Sequence, residues 1–519
     1  MSPQDSKLYP RRWRALVVLA FSLLVVTVDN TILNVALPTI REELDASSSD
    51  LQWIVDSYLL VFAGLLLAAG SIGDRFGRKR ALFTGLGIFG AGSFLAAISG
   101  SATELIASRA LMGVGAAAIM PTTLSILTNM FPKHERPKAI AIWAAVAGMG
   151  IAVGPISGGF LIEHFAWSSI FLVNLPVVVG CLIAGAMLLP ESRDPESPRL
   201  DLPGIGLSIS SLTAIVWGLI EAPERGWTSP TILGAFAAGA VTIAAFIAWE
   251  LRAKQPMLDV SVFRNLRFSA ASASITFVFF ALMGVMYFLT TYLQTVMGYT
   301  ALEAGVRMVP IAIGLIVASR MSVPLTARLG TKVVVAGGLT VVAFSLGAFT
   351  ATGVETDYLW RVCGALTTMG IGMGLAMAPT TEAIMGSLPK AKAGIGSAMN
   401  DVVRELGGTL GVAVLGSVVS TTYASGMDDA TSGLPHAAAE AATDSVGGGH
   451  EVAAQIGGGA GARLTALADQ SFVDAMTTAA SVAAAVALVG ALIATAFLPS
   501  RAPSESTIAD ERLPEPATA

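Results

Sequence analysis

The sequence predicts an all-α membrane protein of fourteen transmembrane helices. Only 13% of its 519 residues are charged and the mean hydropathy is +0.70, whereas a soluble domain carries about 25% charged residues. Mostly apolar stretches of about 20 residues, the length that crosses a bilayer, recur at 14–38, 51–72, 81–100, 103–127, 138–162, 169–190, 202–221, 231–250, 268–294, 302–325, 332–352, 358–385, 393–422 and 475–498. The basic residues then test the count. With both ends inside, only Arg41, Arg225 and Arg463 fall in outside loops, and Arg109, Arg307, Arg320, Arg361 and Arg404 fall within spans. All the others lie inside, as the Lys/Arg bias of cytoplasmic loops requires. One span more or fewer would invert that bias downstream.

The first apolar run follows Arg11, Arg12 and Arg14 and continues through Asp29 to Pro38 without a small-residue cleavage site. It therefore reads as an uncleaved span and not as a signal peptide. Residues 70–82 hold Asp74, Arg75, Arg78, Lys79 and Arg80 between two apolar runs. Each Arg or Asp in hydrocarbon costs roughly 2.5–3.5 kcal/mol, so this stretch reads as a short turn in water, with Gly73 and Gly77 permitting the reversal. Its four bases against one acid place it on the cytoplasmic side. Arg328-Leu-Gly330-Thr-Lys332, between spans 10 and 11, repeats Arg75-Phe-Gly77-Arg-Lys79 in register. Parallel repeats follow: spans 1–6 form one bundle, spans 9–14 another, and spans 7 and 8 are inserted. The expected division is 1–190 for the N-terminal six-helix bundle, 191–265 for the inserted helices and linkers, 266–499 for the C-terminal bundle, and 500–519 for a disordered cytoplasmic tail. Residues 423–474 are expected to form a long outside loop, flexible because Gly447–Gly449 and Gly457–Gly459 interrupt a segment of low apolar density; a hairpin over part of it, lying on the membrane surface, is the alternative.

Asp29 lies about two-thirds of the way along span 1. An acid at that depth is costly and rare, and burial disfavours its charged form. A carboxyl that loads and releases a proton as its exposure changes suits a proton-coupled carrier; a packing carboxyl fixed by Asn30 or Thr31 is the alternative. Arg109, in span 4, must find a carboxylate or several carbonyls. In span 5, Gly150, Gly154 and Gly158 share one face and allow a neighbouring helix to approach closely, while Pro155 removes a backbone donor and kinks the span. Asp56, with Trp53 and Tyr58 beside it in the outer third of span 2, either attracts a cationic substrate or is simply hydrated. Glu303 and Arg307 are spaced for a local ion pair. Span 13 carries Asn400, Asp401, Arg404 and Glu405 near mid-membrane. Asp401 can pair with Arg404, and Glu405 or Asp401 is a candidate second protonation or cation site. Phe279, Phe280, Met283, Met286 and Tyr287 either line a plastic apolar pocket or face lipid and neighbouring helices.

Gly70 to Leu82 resembles the loop signature of the major facilitator superfamily, Gly-x-Leu-Ala-Asp-Arg-x-Gly-Arg-Lys-x-x-Leu, with Ile72 and Gly73 at the Leu and Ala positions. The resemblance implies the major facilitator fold, two six-helix bundles that rock about a midplane cavity. It also implies a cytoplasmic gating loop of Gly73, Asp74, Arg75, Gly77, Arg78 and Lys79. Val28 to Pro38 resembles the span-1 signature of the fourteen-span drug/proton antiporter family, whose aspartate is linked to proton coupling. Leu105-x-x-x-Arg109-x-x-x-Gly113-x-Gly115 resembles the family's span-4 motif, whose arginine is tied to proton transfer near that acid. An Arg109–Asp29 contact would hold the acid charged, and opening it would let a proton bind; a static pair is the alternative. Gly150-x-x-x-Gly154-Pro155-x-x-Gly158-Gly159 resembles the antiporter motif of exporters in the superfamily. Trp167 to Pro176 resembles the stretch before span 6, with Ser168 and Ser169 where the family has Arg and Trp. Tyr292 to Gly305 resembles the join of spans 9 and 10.

The resemblance implies proton-coupled efflux of amphipathic, cationic or neutral small molecules. It places a monomer in a bacterial cytoplasmic membrane, both termini cytoplasmic, with protons as coupling ion and no cofactor. Dedicated export of one endogenous metabolite or antibiotic is the alternative, and a non-transporting receptor or membrane enzyme a remote one. Catalysis is poorly supplied: His134, His164, His436 and His450 lie outside the spans, and no Gly-x-x-x-x-Gly-Lys-Ser/Thr loop exists for ATP. Cys181 and Cys363 fall in separate spans, so neither a disulfide framework nor a metal cluster is expected. The net charge of −5 leaves no basic footprint for nucleic acid.

Overall fold

The computed structural model describes residues 11–46, 48–193, 201–253, 256–389 and 392–500, and every regular element among them is helical. The chain runs through α1 (Arg12–Glu43), α2 (Ser48–Phe76), α3 (Arg78–Ala97), α4 (Ala102–Met130), α5 (Arg136–His164), α6 (Ser169–Leu172) and α7 (Asn174–Leu188). Next come α8 (Leu202–Arg225), α9 (Pro230–Glu250), α10 (Leu266–Thr291), α11 (Ala301–Arg307), α12 (Val309–Leu329), α13 (Thr331–Phe349) and α14 (Cys363–Gly386). The last four are α15 (Ala393–Thr431), α16 (His436–Asp444), α17 (Val446–Ile456) and α18 (Gly458–Phe497). Fourteen candidate membrane spans result, with α6–α7 together making the sixth and α11–α12 making up most of the tenth. Polar residues fix the helix starts. The Ser101, Asp201, Ser229 and Asn265 side chains each accept a backbone N–H of the first turn, and Thr300 with Glu303 forms a reciprocal capping box.

Two apolar cores divide the described residues, one built mainly from α1–α7 and one from α10–α18. The packing repeats between them. Helix α1 packs on α5 as α10 packs on α15, α2 on α4 as α12 on α14, and α3 on α4 as α13 on α14. The same relation governs the interface, where α2 meets α15 and α5 meets α12. The inserted α8 leans on both α2 and α15. Two turns make the repeat explicit. Gly77 and Gly330 adopt φ of 115° and 85°, a region in which a Cβ is strained. The next N–H in each case, Arg78 or Thr331, donates to a carbonyl beyond the last span of its own bundle, Ser192 at 2.9 Å or Ser500 at 3.0 Å.

Two expectations need correction. Residues 70–82 are not a turn in water: α2 continues through Phe76, so Gly73 and Asp74 are helical and the reversal occupies Gly77 alone. Asp74 is 5% exposed and Arg78 is 1% exposed, because Asp74 is satisfied by Arg78 and by two N–H groups of the other bundle, and not by water. Residues 423–474 are not a flexible loop. Helix α15 runs on to Thr431, α18 begins at Gly458, and α16 and α17 fill the space between. The Tyr423 hydroxyl donates to the Ala442 carbonyl at 3.0 Å, the Ser445 hydroxyl caps α17, and His450 Nε2 lies 2.8 Å from Asp469 Oδ1. Small residues gain order here by packing on two extended helices, which local composition understates. The expected tail lies, apart from Ser500, outside the described residues.

Candidate functional site

Asp29 and Arg109 meet in the core of the first bundle, 0% and 1% exposed. Arg109 Nη1 donates to Asp29 Oδ2 at 2.5 Å, and Arg109 Nε donates to the Ile54 carbonyl at 3.1 Å. The guanidinium also lies 4.2 Å from the centre of the Tyr58 ring, a cation–π contact strengthened by the burial of both groups. Asn174 Nδ2 donates to Asp29 Oδ1 at 3.0 Å and to Ser93 Oγ at 3.1 Å, and Ser93 Oγ donates to the Phe171 carbonyl at 2.8 Å. Two helices, α4 and α7, thus donate to one carboxylate of α1, and α2 and α3 hold those donors in place. Tyr58 is buried in this cluster, and its hydroxyl has no hydrogen-bond partner among the described residues. Trp53 and Asp56 are half-buried on either side of Ile54. Asn174 and Ser93 are partners that sequence reasoning missed. The signal was Asn174 itself, an amide opening an apolar span.

The glycines of α5 serve two interfaces. A Cβ on Gly150 or Gly154 would run into Thr27 or Thr31 of α1, and one on Gly158 would stand 2.9 Å from Ile32. Thr31 Oγ1 uses the proximity to donate to the Gly150 carbonyl at 2.9 Å. Pro155 and Gly159 face the other bundle, against Gly305 and Leu302 of α11.

At the opposite end of the bundle interface, Asp74 joins the halves. Its Oδ1 accepts from Arg78 Nε at 2.8 Å and from the Gly394 N–H at 2.9 Å, and its Oδ2 accepts from the Ile395 N–H at 3.1 Å. Those two N–H groups open α15, where backbone dipoles favour a negative charge. Lys79 Nζ donates to the carbonyls of Ala186 and Leu189, each at 2.9 Å, closing the end of α7. Arg75 is half-buried beside Phe76.

In α15, Arg404 Nη1 is 3.6 Å from Asp401 Oδ1, and Asn400 Nδ2 donates to the same oxygen at 3.3 Å. The Arg404 guanidinium stacks over Phe279 at 4.5 Å and reaches Trp143 of the other bundle at 5.2 Å. Glu405 is half-buried. The expected Glu303–Arg307 ion pair is absent. Glu303 turns back to accept the Thr300 N–H, and Arg307 stacks on Tyr299 while donating to the Glu303 carbonyl. The five aromatics and methionines of α10 do not form one pocket: Phe280 is core, Phe279 meets Arg404, and Tyr287 is 50% exposed. Glu382, within electrostatic reach of Arg136 of one bundle and Arg267 of the other, was not anticipated as an interface charge.

The sequence profile of the Major Facilitator Superfamily matches residues 19–412. The chain is 36% identical over 463 residues, 88% of its length and 90% of the relative's, to the multidrug efflux pump LfrA of Mycolicibacterium smegmatis. It is 34% identical to the tetracenomycin C resistance and export protein of Streptomyces glaucescens, over 80% of this chain and 77% of that one. Identity to the methyl viologen resistance protein SmvA of Salmonella typhimurium is also 34%, over 80% and 83%. Among solved structures, the human organic anion transporter MFSD10 superposes with a TM-score of 0.60 at 13% identity, covering 93% of this chain and 99% of that one. The proton:xylose symporter XylE also gives 0.60 at 13%, covering 94% and 96%. At these identities the superpositions speak to the fold alone.

Proposed function

The chain belongs to the Major Facilitator Superfamily, and on that footing we propose that it exports amphipathic small molecules in exchange for protons by alternating access. The observation that carries the reading is the buried Asp29–Arg109 pair, a carboxylate with a cation whose contact a proton can break. With Asp29 charged, Arg109 is held; with Asp29 protonated, Arg109 loses its counter-charge and the helices that supply their partners are free to rearrange. Substrate binding that disfavours the protonated form would expel the proton, which is antiport. The names of the relatives, efflux and resistance proteins throughout, support export. So does α5, whose glycines let it lie against α1 on one face and the second bundle on another.

The remaining roles follow from position. Asp74, with the residues from Gly73 to Lys79, latches the cytoplasmic side through the start of α15, and Glu405 or Asp401 is a second protonation or cation site in the C-terminal half. Asp56 and Trp53 attract substrates that are cationic or neutral. The protein acts as a monomer in a bacterial cytoplasmic membrane with both termini inside, uses protons and no cofactor, and divides at about residues 190 and 265. Each proton moving inward releases about 2.3 kcal/mol per 100 mV, enough for a roughly 40-fold gradient of a neutral solute at 1.4 kcal/mol per factor of ten. A dedicated exporter is the second reading, favoured by the relative named for tetracenomycin C.

Proton release from purified protein on adding a panel of lipophilic cations tests the first reading. Release from wild type and none from Asp29→Asn is the expected result. Release that survives in Asp29→Asn moves the coupling site to Asp401 or Glu405. No release with any compound favours the dedicated exporter.

A further inference from the structure

Arg404 of α15 is 6% exposed, yet it is held unlike Arg78 and Arg109, which are 1% exposed. Those two guanidiniums donate directly to a carboxylate, at 2.8 Å to Asp74 and 2.5 Å to Asp29. Arg404 donates no hydrogen bond among the described residues. Its Nη1 stands 3.6 Å from Asp401 Oδ1 and is buried without a partner, and so is Asp401 Oδ2. What the guanidinium does have is two ring faces, Phe279 of α10 at 4.5 Å and Trp143 of α5 at 5.2 Å. Trp143 is 0% exposed, and its Nε1 donates to Thr123 Oγ1 at 3.2 Å, which sets the plane of the indole. The rings belong to opposite bundles, so this cage is closed only where the halves meet. The charged groups acting on Arg404 are Asp401 and Glu405 of its own helix.

A buried cation that forgoes hydrogen bonds is poorly satisfied, whereas the ring faces around it suit any flat, delocalised cation. We propose that Trp143, Phe279 and the acids of α15 form the binding site for a planar organic cation, and that Arg404 occupies it as a tethered stand-in. The cargo's origin rests on the export reading; the site rests on the geometry. An entering cation takes the ring faces, and the displaced guanidinium completes the hydrogen bond to Asp401 that it now lacks. Displacement thus gains a contact within the protein, which offsets part of the cost of leaving the rings. A neutral guest offers the rings no charge and leaves Arg404 in place. Between cargoes, Arg404 keeps the interface of the bundles filled.

Equilibrium binding to the purified protein tests this without transport or proton coupling. The probe is N-methylacridinium, a flat fluorescent cation, set against its uncharged parent acridine. Trp143→Leu and Phe279→Leu should each weaken N-methylacridinium binding by about threefold or more, the loss of one cation–π face. Arg404→Gln should tighten it by about tenfold, as removal of an occupant present about nine-tenths of the time requires, and should leave acridine binding unchanged. Loss of positive charge alone would also favour a cation, so the double variant decides. With Trp143→Leu in place, Arg404→Gln should tighten binding by less than about half that factor, because guest and guanidinium compete for the same ring. Equal tightening in both backgrounds overturns the proposal. So does weaker binding by Arg404→Gln than by wild type, or ring variants that bind as wild type does. Absence of binding to wild type and Arg404→Gln alike overturns it too, while proton release with other compounds would still uphold export. Should Arg404→Gln not fold, Arg404→Lys, which keeps a charge beside Asp401 without the flat face, takes its place with the same sign expected.

Discussion

At the residue scale, Asp29 and Arg109 in the first bundle's core are satisfied contact by contact, and this makes them breakable one contact at a time. Arg109 is held by Asp29, the Ile54 carbonyl and the Tyr58 ring. Removing it leaves Asp29 buried with only Asn174 to face it. Arg109→Ala should therefore destabilise the protein by about 3–5 kcal/mol, read as a lowered unfolding temperature in detergent. Adding Asp29→Asn should recover part of that loss, since the orphaned charge goes with it; no recovery would mean that Arg109 acts through packing alone. A smaller effect applies outside the membrane. The Arg12 guanidinium grips Glu135 at 2.7 and 2.8 Å, and this hydrogen bond, ahead of their charge attraction, holds the Glu135 carboxyl below its usual range. A carboxyl depressed in the folded state contributes stability above its unfolded value, about pH 4.3, and loses it as pH falls through the folded value. The stability difference between wild type and Arg12→Gln should thus be present at neutral pH and vanish in acid, a modest effect for a pair so near water.

At the scale of elements, α5 is constrained on two faces, with glycines against α1 and a proline and glycine against α11. Gly154→Ala places a methyl on Thr31 Oγ1, and overpacking of this kind costs about 1–3 kcal/mol. Transport should fall with stability, and Thr31→Ala in the same chain should restore more than it removes; a double mutant worse than Gly154→Ala would show that the Thr31–Gly150 hydrogen bond outweighs the space. The helices themselves were legible in the sequence, because apolar length and the Lys/Arg bias are properties of the chain alone. Legible too were Asp29 and Arg109, since ionisable residues inside spans have few places to go. Asn174 and Ser93 were not, because one amide or hydroxyl in a span carries no sign of what it faces. The order in α16 and α17 was hidden for a related reason: they are held by Tyr423 and Asp469 of the flanking helices α15 and α18, contacts that the composition of the segment between does not reveal. Residues 70–82 misled in the opposite sense. Charges that require a polar partner find one in another bundle's helix start as readily as in water.

For the whole molecule, the bundles touch at both ends of their interface, through Asp74 and α15 at one end and Gly159 and Leu302 at the other. Alternating access must break one set while keeping its opposite. Asp74→Asn keeps acceptor oxygen for the Gly394 or Ile395 N–H but surrenders the charge that α15's start favours, an effect of up to about 2 kcal/mol in partly buried geometry. Turnover should fall by about tenfold with substrate affinity changed less than about threefold, measured as transport rate against binding to purified protein. Equal losses in both would place Asp74 in the binding site instead. The carbonyls that tie the two glycine turns bear on a different matter, the order in which the protein is made. Ser192 leaves the ribosome soon after α7, so the turn at Gly77 can be secured before α8 exists, whereas the turn at Gly330 waits for Ser500, after α18. The first half can finish as it is synthesised; the second stays untied through the making of most of its helices, and the interval is when a chaperone or an insertase would find it open.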